Sequence, residues 1–438
     1  MDNVVVKFGG SSLANAEQIR KAAAIIKADP ARRFVIVSAP GKRSGADTKV
    51  TDLLYRCYEL AAAGGDFVPV LEQIRSRFSD IIAELGVEFD LDAEIDTIRK
   101  HLQGGPQRDY MASRGEYLNA KIIAAYLGFS FIDTAECVRF SAEGKFEDVQ
   151  TDTNLRNALA AVEHAVLPGF YGASEEGTIY TFSRGGSDVT GSLAARAVNA
   201  DIYENWTDVS GMLFTDPRIV DNPRTIEYVT YRELRELSYM GASVLHEDAV
   251  FPVRKAGIPI NIRNTNRPED AGTMIVPELP ADAEKRNVTG IAGRKGFTSI
   301  LVEKSMMNGE VGFASKLLEI FAEHGVPFEH CPTGIDTMSV VVNSAQFREK
   351  KDEILQQVRR ELQPEFMEVE SGLAMIAVVG HGMAYAKGSA ARIFGALADS
   401  GVNIRMIDQG SSEINIIIGV DETDFEAAIR GIYRSCAQ

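Results

Sequence analysis

The sequence contains little cysteine and little positive charge. Only four cysteines occur among its 438 residues, and 46 lysines and arginines stand against 62 aspartates and glutamates, which gives a formal charge of −16. That balance argues against nucleic acid as a partner, because phosphate backbones require a basic surface. The cysteines are scattered without C-x-x-C spacing, which favours a reducing cytoplasm: Cys57, Cys137, Cys331 and Cys436.

Long hydrophobic runs are also missing. There is no apolar stretch of about twenty residues, so the sequence predicts no membrane span. A basic-then-apolar leader is absent as well, so it predicts no signal peptide. The length instead predicts two or three domains, each with an ample core.

The first motif is a strand, a glycine turn and a helix. Residues 3–8 form an apolar run interrupted by Lys7, residues 9–12 read Gly-Gly-Ser-Ser, and residues 14–28 have a helical pattern. A lysine in a strand buried between helical layers is costly unless it meets an anion. Because the turn supplies backbone N–H donors of the kind that bind phosphate, the motif predicts a phosphate site. The alternative is a lysine whose stem merely passes a strand edge.

A second glycine loop, Ser-Arg-Gly-Gly-Ser-Asp at residues 183–188, opens a helix. Backbone N–H groups at a helix start donate to anions and carry partial positive charge. Arg184 adds a guanidinium that suits a carboxylate or a phosphate, and Asp188 falls on the first turn. Neither loop fits the Walker pattern, and the first does not fit the spacing G-x-G-x-x-G, which excludes ordinary P-loop and Rossmann assignments.

Together these motifs resemble the amino acid kinase family, and within it the aspartate kinases, over nearly the whole chain. The similar segments occur in the order expected for that family: residues 7–12, 37–39, 51–54, 113–116, 169–170, 184–188, 206–209 and 215–218. The resemblance implies transfer of the γ-phosphoryl group of ATP, with Mg²⁺ as cofactor, to the side-chain carboxylate of L-aspartate. It also implies the first step of the pathway from aspartate to lysine, threonine and methionine.

Strand-like runs alternate with helical stretches in the first part of the chain, at residues 4–8, 34–38, 129–133, 165–168 and 202–206. This alternation predicts an α/β fold with a mainly parallel sheet between helices, which matches the three-layer sandwich of the amino acid kinases. We expect a catalytic domain at 1–277 with a helical insertion at about 53–127. Residues 231–255 are predicted to be helical, and residues 258–263 a closing strand. A polar, proline-punctuated linker is predicted at 278–286.

The last third of the chain repeats weakly in β-α-β-β-α order, and its two units resemble paired ACT domains of βαββαβ form. We place the first module at 297–371 and the second at 372–438. The second module reaches the last residue without a fourth strand, whereas residues 288–292 form a surplus strand before the first. Since an uncovered sheet edge is a liability, we expect residues 288–292 to complete the second sheet.

The resemblance also implies the roles of individual residues. An aspartate carboxylate is already ionised, so the site needs no catalytic base but must hold two anions. The residues expected to perform catalysis are Lys7, Arg184 and Asp188. Those expected to bind aspartate are Ser38, Thr51, Glu116, Phe170, Arg184, Gly185, Gly186, Ser187 and Asp188. Those expected to bind ATP are Lys7, Gly9, Gly10, Ser11, Thr207, Asp208, Leu213, Arg218 and Ser243.

Ser243 marks a departure from the family, because many relatives have lysine at this position. Either Arg218 and Mg²⁺ suffice for the phosphates, or Lys42 or Arg43 compensates from the loop at 41–45; we favour the first. The neighbouring His-Glu-Asp at residues 246–248 is interpreted as structural rather than metal-binding, because consecutive helical residues point in different directions. No protein ligand to a metal is therefore predicted.

The paired modules predict regulation by an amino acid and assembly into a homodimer. Segments that resemble the effector site of aspartate kinases contain Met307, Phe328, Glu329, Thr333, Gly334 and Asp336. Two of these are acidic, which favours lysine over threonine, although both carboxylates could simply be exposed. Two rival functions stay open: a glutamate or acetylglutamate kinase of the same fold, and a non-catalytic amino-acid sensor.

Overall fold

The computed structural model describes residues 3–183, 185–242, 245, 247–281, 283, 286–410 and 412–437, without the side chains of residues 247 and 248. The chain divides into two compact units. The first comprises Met1–Met212, Thr225–Tyr231 and Val244–Ala281, and the second comprises Leu213–Arg224, Arg232–Ser243 and Asp282–Gln438.

Up to residue 281 the strands are β1 (Val4–Phe8), β2 (Arg32–Val37), β3 (Ser130–Phe131), β4 (Ala165–Pro168), β5 (Tyr171–Ala173), β6 (Ile179–Thr181), β7 (Ile202–Thr207), β8 (Tyr228–Thr230), β9 (Ile260–Asn264) and β10 (Thr273–Val276). The helices of this part are α1 (Ala16–Lys27), α2 (Val50–Ala62), α3 (Val68–Leu85), α4 (Leu91–Gly104), α5 (Arg108–Leu127), α6 (Thr134–Cys137), α7 (Asp148–Ala160), α8 (Gly186–Ala197), α9 (Tyr231–Tyr239) and α10 (Glu247–Ala256).

An eight-stranded sheet organises the first unit in the order β3-β4-β2-β1-β7-β9-β10-β8. Neighbouring strands are parallel except for the antiparallel pair of β9 and β10. The mainly parallel α/β sheet predicted from the sequence is therefore confirmed. One detail of that prediction was wrong, because β9 is followed by a further strand rather than closing the domain. In the predicted helical segment 231–255 the structure has two helices, α9 and α10, and Gly241 with φ of 103° follows the first of them.

Both faces of this sheet are covered. Val4, Val6 and Phe8 of β1 join a buried cluster with side chains of α1 to α5. Val5 and Lys7 alternate onto the other face, where α8 packs on β1 and α10 packs on α8. The carboxyl ends of the central strands then open into the loops that carry the predicted site.

The second unit contains α9 apart from its first residue, together with the elements after residue 281. The strands are β11 (Gly290–Glu303), β12 (Phe328–His330), β13 (Thr337–Asn343), β14 (Phe366–Val379), β15 (Ile404–Asp408) and β16 (Asn415–Asp421). The helices are α11 (Phe313–Glu323), α12 (Ser344–Arg348), α13 (Lys351–Leu362), α14 (Ser389–Asp399) and α15 (Phe425–Cys436).

One antiparallel sheet, in the order β12-β13-β11-β14-β16-β15, runs through this unit. Its two long central strands each pair along their whole length: residues 290–295 of β11 with residues 374–379 of β14, and residues 298–303 with residues 366–371. The register shifts around Gly296, whose φ is 93°, because a bulge here needs a left-handed residue. Residues that the sequence divided between a surplus strand and the first module thus form one strand.

Two hydrophobic clusters lie along this sheet. One gathers α11 and α13 with residues of β11 and β13, and the other gathers α14 and α15 with residues of β14 and β16. The boundaries of the modules stay a prediction, and Asp282, Glu284 and Lys285 of the expected linker lie outside the described residues. Across the described part of the chain, no helix combines the length and apolarity needed to cross a membrane.

Candidate active site

Lys7 lies near the carboxyl end of β1 and is only 8% exposed. Its ammonium Nζ is 2.6 Å from Oδ1 of Asp188, on the first turn of α8. The two predicted loops therefore bring an opposite pair of charges together, although they are far apart in sequence. The alternative of a lysine passing a strand edge does not describe this buried contact.

Asn205 is a second partner of Asp188 that the sequence did not single out. Its amide Nδ2 donates to the same Oδ1 atom at 2.7 Å, and the hydroxyl of Tyr203 donates to the main-chain carbonyl of Asp188 at 3.3 Å. Lys7 is the direct neighbour of Asn205 in the β1–β7 pairing, and Val5 is the neighbour of Tyr203. Side chains in register on parallel strands share a face, so this pairing was the signal that would have found them.

The first glycine turn is held against the loop that follows β2. Gly41 N–H donates to the Gly10 carbonyl at 2.8 Å, and a Cβ on Gly10 would lie 2.9 Å from the Ala39 carbonyl. Arg77 of α3 donates to the Gly41 carbonyl and to the Asp47 carboxylate, both at 2.8 Å. The helical insertion thus fixes both loops through one buried guanidinium, a contact that sequence reasoning missed.

A strained residue, Phe170, lies beside the second glycine loop. Gly185 precedes α8 in the left-handed region with φ of 57°, and Phe170 adopts φ of 83°. A bulky side chain rarely occupies that region, and such strain of about 1–3 kcal/mol is typical of functional positions. Phe170 N–H donates to the Thr190 hydroxyl of α8 at 3.1 Å, which ties it to the helix that carries Asp188.

Glu116 of α5 is buried beside the end of β2, because Gly115 packs directly against Ala39. Burial raises the pKa of this carboxyl to about 7, while the Ala39 N–H and the charge of Arg114 oppose the shift. Among the described residues its buried Oε2 has no hydrogen-bond partner. A buried carboxylate oxygen without a donor is costly, so a cationic group arriving beside it would relieve that cost.

The remaining residues predicted to bind aspartate lie on the surrounding loops. Ser38 follows β2, and its carbonyl accepts from Asn119 of α5 at 2.8 Å. Thr51 is the second residue of α2. Ser187 packs against Gly169, because a Cβ added to Gly169 would lie 2.6 Å from the Ser187 hydroxyl. Arg184 lies outside the described residues.

The residues predicted to bind the nucleotide are divided between the two units. Thr207 and Asp208 follow β7 in the first unit, and the Thr207 hydroxyl donates to the Asp208 carboxylate at 3.1 Å. Leu213 and Arg218 fall in the second unit, where Arg218 pairs with Asp216 at 2.6 Å. Ser11 lies exposed in the first glycine turn, and Ser243 is outside the described residues. The nucleotide site therefore stays a prediction.

Of the two cations considered as replacements at Ser243, Arg43 is paired with Asp47 at 3.0 Å, and Lys42 is exposed. His246 and the side chains of Glu247 and Asp248 lie outside the description. Within the described ranges, no three His, Cys, Asp or Glu side chains lie close enough together to hold a metal ion.

The predicted effector residues surround two neighbouring loops of the second unit. Asn308 N–H donates to the Ile335 carbonyl at 3.2 Å, which brings the loop of Met307 beside that of Asp336. The Asp336 carboxylate accepts the Met306 N–H at 2.8 Å, and Gly334 N–H donates to the Thr337 carbonyl at 2.7 Å. Thr333 forms a bridge with Met338 at the base of the second loop.

Glu329 and Phe328 lie on the edge strand β12, where Phe328 is exposed. The Glu329 carboxylate accepts a hydrogen bond from the Tyr239 hydroxyl of α9 and is 3.7 Å from the Arg294 guanidinium. Burial, followed by this contact with Glu329, raises the pKa of Tyr239 to about 12. Glu329 is thus compensated by a cation and a donor, whereas Asp336 contacts a main-chain amide.

Comparison with known proteins identifies both parts of the chain. The model of the amino acid kinase family matches residues 2–264, and a model of the ACT domain matches residues 376–435. Aspartokinase 3 of Bacillus subtilis is 40% identical over 449 residues, which cover 98% of each chain.

Solved structures give the same picture. The crystal structure of Clostridium acetobutylicum aspartate kinase has 48% sequence identity and a TM-score of 0.89, with 100% of both chains covered. Escherichia coli aspartokinase III, solved in complex with aspartate and ADP, has a TM-score of 0.74 at 24% identity, also over 100% of both chains. At that lower identity the likeness concerns the fold.

Proposed function

The chain belongs to the amino acid kinase family, in the group of the aspartate kinases, and we propose that it transfers the γ-phosphoryl group of MgATP to the side-chain carboxylate of L-aspartate. The contact between the buried Lys7 ammonium and Asp188 carries this proposal, because it joins the two glycine loops at the carboxyl ends of parallel strands. Parallel α/β sheets bind their ligands at that edge.

In the proposed reaction, a carboxylate oxygen of aspartate forms a bond to the γ-phosphorus, and the bond from that phosphorus to the β–γ bridging oxygen breaks. The products are 4-phospho-L-aspartate and ADP. No proton needs to be removed, because the attacking carboxylate is ionised at neutral pH. The residues therefore have to position two anions and neutralise charge on the transferring group.

Lys7 and the N–H group of Gly10 are the donors that we assign to the γ-phosphoryl oxygens. The Gly9 N–H, also expected from the sequence to bind them, already donates to the Trp206 carbonyl at 3.0 Å. Asp188 accepts from both Lys7 and Asn205, so we assign it chiefly to orienting the Lys7 ammonium. Glu116 has a buried oxygen without a partner and is the carboxylate better suited to the α-ammonium of the substrate. Magnesium would enter with the nucleotide and neutralise its phosphates.

The other assignments follow the family. Arg184 would hold a substrate carboxylate, Ser38 and Thr51 would orient the accepting carboxylate, and Phe170 would form a wall of the pocket. Thr207, Asp208, Leu213 and Arg218 would contact ATP. The strained backbone of Phe170 and the short turn at Gly185 support a functional role for the second loop.

Hydroxylamine trapping of the acyl phosphate tests the proposal. With ATP and magnesium present, aspartate should yield a hydroxamate, whereas glutamate, acetylglutamate and a sample without substrate should not. Hydroxamate from glutamate or acetylglutamate alone would identify another kinase of the fold. No hydroxamate with any of the three, together with binding of an amino acid, would identify a sensor.

We further propose that an amino acid regulates this activity through the second unit, with lysine as the effector. Asp336 supplies an exposed carboxylate that accepts the Met306 N–H, which suits the ε-ammonium of lysine. The Tyr239–Glu329 contact supports coupling between the effector segment and catalysis, because it joins β12 to α9, after which the chain returns to the first unit. An effector acts only through unequal affinity for two states.

Inhibition assays with lysine, threonine and methionine separate the candidates. Lysine should inhibit, and Asp336→Asn should weaken that inhibition while leaving the uninhibited rate unchanged. Inhibition by threonine but not by lysine would overturn the assignment.

We also propose a homodimer formed through these modules. Exposed apolar side chains support it, at Met306, Val311, Phe328 and Ile335. Light scattering would measure the mass of the assembly.

A further inference from the structure

A cavity of about 450 Å³ lies between α1, β7 and β9 in the first unit. Its floor contains Trp206, which belongs to the same buried cluster as Phe8 and α1. Lys7 and Asn205 alternate onto the opposite face of the sheet, where they meet Asp188. The cavity is therefore on the other side of the sheet from the candidate active site.

A single carboxylate serves two guanidinium groups at the base of this cavity. Arg32 donates to both oxygens of Glu204, at 2.8 and 3.1 Å, and the Trp206 indole N–H donates to Glu204 at 2.8 Å. The Arg263 Nη1 atom approaches Glu204 only to 3.8 Å. Glu204 is thus saturated by Arg32 and Trp206, and Arg263 is left with the weaker contact.

Arg263 carries positive charge that its surroundings do not balance. Its guanidinium lies 4.6 Å above the Trp206 ring, and its Nη2 donates to the Pro268 carbonyl at 2.6 Å. No hydrogen bond from Nη1 is found within the described part of the chain, and Nε is buried without a partner there. Burial lowers the pKa of Arg263, Glu204 opposes that shift, and the like charge of Arg32 adds to it.

The walls of the cavity are mostly apolar. Ala24, Ile25 and Ala28 contribute from α1, and Pro268 contributes from the loop after β9. The volume falls within the range of about 300–1,000 Å³ found for small-molecule sites, which commonly combine apolar walls with a few polar groups. An anion would supply the charge that Arg263 lacks, and an apolar body would fill the remaining space.

We propose that this cavity binds a small carboxylate that carries an apolar or aromatic group. The carboxylate accepts from Arg263, because a guanidinium forms charge-assisted hydrogen bonds with carboxylates. The apolar group lies against the α1 face. This site is independent of the phosphoryl-transfer site and does not rest on the proposed function.

Trp206 provides a built-in reporter, because it is the only tryptophan of the chain. Its fluorescence is measured during titration with sodium benzoate at constant ionic strength, with benzamide as the uncharged analogue of the same shape. We expect a saturable change with benzoate. Benzamide should bind at least about tenfold more weakly, because it lacks the charge that Arg263 requires. Equal binding of the two compounds, or a response that never saturates, would overturn the proposal.

Two variants test the location. Arg263→Gln should weaken benzoate binding about tenfold or more by removing the charged donor. Arg33→Gln is the matched control, because Arg33 instead donates to the Glu163 carbonyl at 2.9 Å and does not line the cavity. Benzoate should also raise the thermal midpoint of the wild type and of the control, but not that of Arg263→Gln.

Ala24→Phe provides a second line of attack that leaves the charges unchanged. Ala24 is exposed on α1 at the cavity wall, so a larger side chain there fills the space without entering the core. Benzoate binding should be lost in this variant even if Arg263→Gln folds poorly. Unchanged binding in Ala24→Phe would place the benzoate site elsewhere and overturn the assignment.

Discussion

The two faces of β7 carry buried charge clusters that are built in opposite ways. Glu204 faces α1 and is saturated by Arg32 and Trp206, with a second guanidinium nearby. Its neighbour Asn205 faces α8 and helps Lys7 to hold Asp188. One face surrounds a carboxylate with cations, whereas the other positions a single ammonium next to glycine loops.

The difference indicates which carboxylate maintains stability and which one serves phosphoryl transfer. A carboxylate with three donors has little capacity left for a ligand, and its removal leaves buried cations unpaired. Lys7 lies next to a turn in which the Gly10 N–H can donate to an anion. We therefore expect the Glu204 face to determine stability and the Lys7 face to determine turnover.

The largest effect is expected for Glu204→Leu. Removing the carboxylate leaves the buried Arg32 guanidinium without its counter-charge and beside the half-buried Arg263, which should lower the free energy of unfolding by about 3–5 kcal/mol. Urea unfolding measures this loss. The turnover of the molecules that remain folded should change little, and a large loss of turnover with unchanged stability would contradict the comparison.

Lys7→Met should have the opposite profile. The loss of one charged donor to the transferring phosphoryl group is expected to lower kcat about 10²–10³-fold. Stability should change less than in Glu204→Leu, because Asp188 keeps the hydrogen bond from Asn205. Single-turnover kinetics with ATP and aspartate measure the rate, and a variant that retains wild-type kcat would remove Lys7 from the reaction.

Glu116 should make the stability of the fold depend on pH. Its folded pKa is about 7 against an ordinary value of 4.5, so the folded protein retains this proton between those values. The unfolded chain releases the proton in this window while the folded protein holds it, so stability falls as the pH rises from about 4.5 to about 7, by roughly 3 kcal/mol in total. Glu116→Gln should gain stability relative to the wild type between about pH 5 and pH 8.

The same group should affect substrate binding with the opposite preference. Protonated Glu116 cannot pair with the α-ammonium, so the wild-type KM for aspartate should rise as the pH falls below about 7. In Glu116→Gln the KM should be high and lose this dependence. A parallel pH profile in both proteins would assign the titration to another group.

Asn205→Leu should have the smallest effect. It removes one hydrogen bond to Asp188, which is expected to cost about 1 kcal/mol, or roughly five- to tenfold in kcat. Tyr203→Phe is the matched control, because it removes only the longer bond to the main-chain carbonyl of Asp188. An equal loss in both variants would indicate general loosening of α8 rather than the positioning of its carboxylate.

Much of the catalytic fold follows from patterns that the sequence displays directly. β1 and β4 have the predicted bounds, because continuous apolar runs between turn residues are typical of buried parallel strands. The family resemblance and the fold class are confirmed. β8 and β10 were missed because runs of three and four residues give too little periodicity to distinguish a strand from a loop.

Only part of the candidate site can be predicted from the sequence. The glycine loops and their charges revealed Lys7 and Asp188 as candidates, and the family resemblance added Glu116, but their roles stay predictions. Asn205 and Arg77 escaped because their importance depends on strand pairing and on loop contacts that no local motif encodes. Likewise, the sequence separated a strand at 288–292 from the first module at 297–371, whereas a bulge at Gly296 lets β11 continue through both.

The two shared strands of the second unit leave no clean place to separate its halves. A protein that stopped near residue 371 would keep the whole of β11 but lose the partner of its first six residues, exposing a bare hydrogen-bonding edge. We therefore expect fragments cut at that point to aggregate, and joint expression of both pieces to restore solubility. An exchange of one half between related proteins would also have to transfer β11 and β14, because both strands run through the two halves of the sheet.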